Sequence, residues 1–332
     1  MAISILVGIG AGIVSALLFA VVISGSVLAL LLSYIAPLPI LVAALGWNHR
    51  AGLVAVITGA ASLAVIFAPT SGLAYAIGIA LPAWWLGYLA LLARPGENGP
   101  EWYPIGRVLA WSAGIAAGVT LAGAWGIGGS YADYEATMGR AIRAFLTMEV
   151  APAGPGAPSL TPSPAPSADA LGLPAGIALD DLVDAIITAV PPLAAASFVL
   201  MLTLNLWLAA KTVSISQRLA RPWPVIADTT MPRTLLPALV VAAVLAALGS
   251  GFIGLTATAL VGALICAYAL QGLAALHALT RGKPGRPFIL GLTYAILVIF
   301  LVWVLPVLAL FGIIDTLLGL RARRAGIAGS PP

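Results

Sequence analysis

Long apolar runs alternate with short polar connections along nearly the whole chain, and the runs have the length of a bilayer crossing. Residues 1–49 contain no Lys, Arg, Asp or Glu, and 43 further residues without a charge separate Arg50 from Arg94. A hydrocarbon core takes about 20 apolar residues per helix, so each of these stretches holds two spans. The pattern predicts crossings near 4–23, 26–46, 51–68, 73–93 and 105–127, then a polar break, then crossings near 188–210, 234–252, 255–279 and 288–313. The expected fold is an all-α polytopic membrane helix bundle of about nine transmembrane spans. A five-helix N-terminal half occupies 1–128 and a C-terminal half of about four spans occupies 187–320, followed by a basic tail over 321–332.

The break at 129–186 reads as an insertion outside the membrane, built of three kinds of sequence. Tyr131 to Val150 has the period of an amphipathic helix, with Tyr134, Met138, Ile142, Phe145 and Met148 on one stripe, as suits a helix on a membrane surface or packed over other helices. Ala151 to Ala168 carries Pro152, Pro155, Pro158, Pro162, Pro164 and Pro166 among Ala, Gly and Ser, a composition that favours a flexible, partly polyproline-like linker. Asp180, Asp181 and Asp184 then open an apolar segment that ends at Pro191 and Pro192. Acids in a first turn suit the positive end of a helix dipole, so a second surface helix feeding the next span is expected.

Composition agrees with the pattern: 61% of the residues are hydrophobic and 8% charged, against roughly 25% charged in soluble domains. Charge adds a direction. The insertion holds seven acids against Arg140 and Arg143, a balance of −5, so the remainder of the chain must carry +9 to give the net +4. Those cations sit in connections: Arg50; Arg94 and Arg107; Lys211, Arg218, Arg221 and Arg233; Arg281, Lys283 and Arg286; Arg321, Arg323 and Arg324. By the positive-inside rule these face the cytoplasm, the N-terminus is cytoplasmic and 129–186 faces out. The final segment breaks this count, since one crossing over 288–313 would expose Arg321 and its neighbours outside. A broken or re-entrant segment that returns the tail is expected, with Pro306 as the break. The first helix is expected to be a retained span, because it lacks a basic leader region.

Candidate chemistry is sparse. Gly8, Gly10 and Gly12 follow no strand and precede no acidic partner, so close helix packing is expected in place of a nucleotide loop. Pro37 and Pro39 distort the second span, as kinks or as part of a site wall. Trp84 and Tyr88 share a face expected near mid-membrane, and Tyr268 and Gln271 share another. All four are candidate ligand-pocket residues, with helix packing as the plainer role for the aromatic pair. Asn205 and His277, near the cytoplasmic interface by sequence, are expected to make helix–helix hydrogen bonds. Arg218 and Arg221 are candidate docking residues, and Asp315 is a partner for Arg321, Arg323 or Arg324, or a helix cap. No Asp, Glu, Lys or Arg lies deep in a predicted span, which argues against a proton relay. The lone Cys266 has no adjacent base, the two histidines stand apart, and no HExxH, GxSxG or Walker pattern occurs. No enzyme, metal or cofactor is therefore expected, and topology accounts for the basic clusters without nucleic acid.

LPAWWLGYLALLAR at 81–94, LNLWLAAK at 204–211, RLARPWP at 218–224 and GIIDTLLGLRAR at 312–323 resemble, in order and spacing, the uncharacterised bacterial membrane proteins grouped as DUF2232, also called YybS-like. That family is distantly similar to the S components of energy-coupling-factor transporters. The resemblance implies a multi-pass protein of the bacterial inner membrane that holds a micronutrient in an outer-face pocket. A transmembrane coupling protein and ATPases would then be its partners. A non-transporting envelope scaffold, recruiting proteins or anionic lipid, is the alternative.

Overall fold

The computed structural model describes residues 2–24, 26–97, 99–150 and 178–323, without the side chains of 24 and 147–150. The proline-rich stretch 151–168, Asp169 and Arg324 lie outside the described residues, as does the side chain of Met148. Eight helical segments are long and apolar enough to cross a membrane. The chain is an all-α multi-pass bundle, with one small hairpin where residues 91–104 connect two spans.

Small residues and prolines shape the first half. Helix α1 (Ala2–Ala20) lies along α4 (His49–Ile66), and Gly8 and Gly12 bring the backbones so close that a Cβ at either would strike the carbonyls of Ala51 or Ala55. The second crossing is broken into α2 (Val27–Tyr34) and α3 (Pro37–Gly46). Pro37 has no N–H to give, Leu38 N–H turns to Ile35 O, and the carbonyl of Tyr34 is left over. Asn205 Nδ2 donates to it at 2.8 Å. Nearby, Tyr75 donates to Ser15 Oγ at 2.7 Å, and Ser15 donates to Ala36 O. The fourth crossing runs from α5 (Pro69–Tyr75) through a wide π turn at Ala76–Ala80 into α6 (Leu81–Ala90). Pro82 cannot bond the carbonyl one α-turn back, and the widened turn falls where that bond is missing. The hairpin β1 (Ala93–Gly96) and β2 (Gly99–Trp102) follows, with Arg94 paired to Glu101 at 2.6 Å.

Helix α7 (Ile105–Gly128) leads to α8 (Tyr131–Val150), and α9 (Leu179–Ile215) is the spine against which both halves pack. Its 37 residues reach about 55 Å, well beyond a bilayer core of ~30 Å. Here the structure corrects the sequence reading. The acidic start near Asp180 is no separate surface helix but the N-terminal end of α9, continuous through Pro191 and Pro192. At that point Gly262 of the neighbouring helix lies against the Pro192 backbone with no room for a side chain, so a packed neighbour covers the bonds the prolines lack. The N-terminal end of α9 packs on α8 through Val183, Ile187 and Tyr134, and Arg143 pairs with Asp180 at 2.7 Å. Leu146 faces this cluster, whereas Phe145, expected on the stripe, is exposed.

Two further spans differ from expectation. The segment expected as one crossing at 234–252 contains α10 (Leu235–Leu248), whose 14 residues cover only about 21 Å. The segment expected at 288–313 is α12 (Arg286–Ile299) and α13 (Leu301–Leu318), and it breaks at Phe300, whereas Pro306 sits inside α13. Between α10 and α12 runs α11 (Gly251–Leu279), whose Gly272 meets Gly312 of α13 in a contact that excludes side chains.

Side-chain contacts sort the connections into two ends. Trp84 reaches His49 O, Arg218 covers the Trp47 ring, Arg221 reaches Ala90 O and Tyr103 O, Gly106 abuts Thr230, and Arg321 reaches Ala227 O and Thr229 O. One end therefore gathers the basic connections, the last basic stretch included. The other end joins Gly128 to Tyr134, and Tyr131 to Phe252, beneath the acidic cap of α8 and α9.

Candidate functional site

The short α10 is preceded by chain that is not α-helical, with a single 3-10 turn at Ile226–Asp228. Residues 225–234 fold into the basic end of the bundle, where Ala227, Thr229 and Met231 are buried. Irregular backbone inside a bundle of apolar helices survives only where protein satisfies its polar groups or where it lines a cavity. Both conditions hold here. Arg321 donates from Nη1 to Ala227 O at 2.7 Å and from Nη2 to Thr229 O at 2.9 Å. Gln271 Oε1 accepts from Met231 N–H at 2.8 Å, while its Nε2 lies 3.0 Å from Gly312 O, 3.1 Å from Asp315 Oδ2 and 2.8 Å from Thr316 Oγ1. Asp315, only 2% exposed, is ion-paired with Arg321 at 2.5 Å. Opposite charge and two carbonyls thus fix one guanidinium, and that guanidinium fixes the loop.

Beside this loop is a cavity of about 1000 Å³. The end of α6, the first turns of α7, parts of α9 between Leu200 and Ala210, the connection from Leu219 to Ala227 with Thr229, and parts of α11 between Leu270 and His277 wall it, together with Arg281, Arg286 and Tyr294. The wall is overwhelmingly apolar, and no Asp or Glu belongs to it. Arg221 is a strut of this wall: it donates to Ala90 O at 3.2 Å and Tyr103 O at 3.0 Å, and burial pulls its pKa below the usual guanidinium value. His277 Nε2 is 2.9 Å from the Tyr294 hydroxyl, which ties α11 to α12. Lys211 lies over the Trp223 ring at 5.1 Å, and Arg218 over Trp47 at 4.4 Å.

No protein-family model, curated protein or solved structure matches the chain. The geometry alone therefore speaks for the site.

The four residues singled out from sequence as pocket walls do not line this cavity. Trp84 and Tyr88 stack at 6.3 Å within a cluster that includes Trp85 and His49, and Trp84 Nε1 donates to His49 O at 2.9 Å. That places the pair at the basic end of the helices, in the manner of an interfacial aromatic belt, and not at mid-membrane. Tyr268 and Gln271 are fully buried on α11, and the Tyr268 hydroxyl has no hydrogen-bond partner. Asn205 is also deeper than its sequence position implies: it donates to Tyr34 O and Met201 O in the bundle interior. His277 and Arg221 do line the cavity; Arg218 lies outside it.

Sequence reasoning missed Arg281 and Arg286 as site residues, together with the exposed Leu204 and Trp207. The available signal was the turn RGKPGR at 281–286, with three cations in six residues between two apolar helices. Among the described residues no three His, Cys, Asp or Glu side chains converge as a metal site would require.

Proposed function

We propose that this protein is a membrane-embedded binding subunit that holds a largely apolar small molecule at the basic end of the bundle. The observation that carries this reading is the apolar cavity of about 1000 Å³ beside the folded-in loop, at the upper end of the ~300–1,000 Å³ typical of ligand pockets. The buried polar side chains near it, Gln271, Asp315 and Arg321, are committed to backbone and to one another. Binding therefore suits this site better than bond-making, and energy for any transport would come from partner proteins.

The DUF2232 resemblance, with its distant likeness to transporter S components, supports a capture role in a bacterial inner membrane. The expected pocket location needs revision: the positive-inside rule assigns the cavity's basic end to the cytoplasm, whereas S components load from outside. The acidic cap on α8 and α9 keeps the envelope-scaffold reading in play, since its exposed Phe145 offers an anchor away from the membrane.

Purification from native membranes in mild detergent, with mass spectrometry of retained small molecules and proteins, tests the reading. One retained metabolite near stoichiometry supports a binding subunit, and a co-purifying ATPase adds transport. Envelope proteins with no retained molecule would overturn it in favour of the scaffold.

A further inference from the structure

The cavity has a chemical polarity of its own, and we infer that its ligand is an amphiphile with an anionic head, a phospholipid-like molecule whose phosphate sits at the turn between α11 and α12. This rests on the binding-subunit reading and adds the substrate class. Arg286 and His277 line the cavity together with Arg281, and no carboxylate belongs to that lining. Arg286 Nε is buried without a hydrogen-bond partner. Basic pockets between membrane helices on the cytoplasmic side have this character, and they take phosphate head groups.

The opposite part of the cavity fits a chain. Leu200 and Leu204 of α9 and Leu270 and Leu273 of α11 line it, and Leu204 and Trp207 are exposed at the bundle surface, which gives a hydrocarbon tail a lateral way in. A tail leaving the bilayer for this wall exchanges one hydrocarbon surrounding for another, so the apolar wall supplies fit but little selectivity. Selection falls to the head, where charge-assisted hydrogen bonds discriminate.

The test uses the purified full-length protein, incubated with equimolar phosphatidylglycerol and phosphatidylcholine of identical chains, with retained lipid counted by native mass spectrometry. The unmodified protein is expected to retain the anionic lipid at least about tenfold over the zwitterionic one. Arg281→Gln with Arg286→Gln abolishes that preference, whereas Arg50→Gln with Arg323→Gln, at the same end but outside the cavity, keeps it. Ala210→Trp, which fills the cavity, removes both lipids. Equal retention by the unmodified protein, or loss of preference in the Arg50/Arg323 control, overturns the head-group assignment. Competition by inorganic phosphate alone would identify a free anion as the ligand and overturn the amphiphile. Retention of an uncharged metabolite keeps the binding reading and sinks only this one; failure to retain any molecule sinks both.

Discussion

Arg321→Met is the change that bears most directly on how an unwound stretch of chain is held inside this bundle. The guanidinium makes an ion pair with Asp315, whose side chain is 2% exposed, and hydrogen bonds with Ala227 O and Thr229 O, while it is itself 13% exposed. Removing one partner of a buried ion pair typically costs about 3–5 kcal/mol because the other charge stays behind. Each carbonyl left unpaired adds about 1–3 kcal/mol where water is excluded. Partial exposure of Arg321 lets water recover some of this, so the expected loss is about 4 kcal/mol. Asp315→Asn in the same chain removes the stranded charge while keeping Gln271 and Thr316 within reach of a polar side chain, and the double variant should recover about 2 kcal/mol. Reversible unfolding in dodecyl sulfate mixed with a mild detergent, followed by circular dichroism, gives both values. Tryptic cleavage after Arg233 should quicken in the single variant as the loop leaves the bundle. A loss below ~1 kcal/mol, or a double variant no more stable than the single, would refute the role assigned to the pair.

Other substitutions probe the remaining framework. Gly12→Ile drives a side chain into the Ala55 carbonyl and should destabilise the α1–α4 contact by about 1–3 kcal/mol, seen in the same titration. Asn205→Leu strands Tyr34 O at the proline break and should lose about 1 kcal/mol, near the membrane average for such bonds; a value of zero would mean that another donor replaces it. Trp84→Leu with Tyr88→Leu is expected to lower stability through the aromatic cluster while leaving lipid retention unchanged, and a fall in retention would return these residues to the site. Cys266, fully buried, should react with a maleimide only after unfolding, and native labelling would place it on an accessible surface.

Hydrophobic length was enough to read most of this bundle in advance, because lipid forces backbone bonds to close within each segment. It failed where protein substitutes for helix. The apolar segment 234–252 looks like one crossing, yet α10 ends at Leu248 and α11 begins at Gly251, and the side chains that hold the irregular chain before α10, Arg321 as donor to Ala227 O and Gln271 as acceptor from Met231 N–H, are distant in sequence. Pro306 and Phe300 show the same limit: proline was the natural break, but α13 absorbs it and turns at Phe300. At the site, Trp84 and Tyr88 drew notice by residue type, whereas the cavity arises from the spacing of α9, α11 and α12, which no local pattern encodes. Only the RGKPGR turn carried a legible trace of it.

The loop's dependence on Arg321 also imposes an order on biosynthesis. Ala227 leaves the ribosome 94 residues before the side chain that satisfies its carbonyl, an interval of about 5–20 s at ordinary elongation rates. During that time α10 is too short to cross on its own, and the carbonyls of Ala227 and Thr229 lack the Arg321 donor that later satisfies them. The chain up to α11 must therefore wait at the interface as an incomplete intermediate, and the last helix closes it. Truncation just before residue 321 would remove few apolar contacts yet leave that intermediate as the end product, exposed to the proteases that survey newly made membrane proteins.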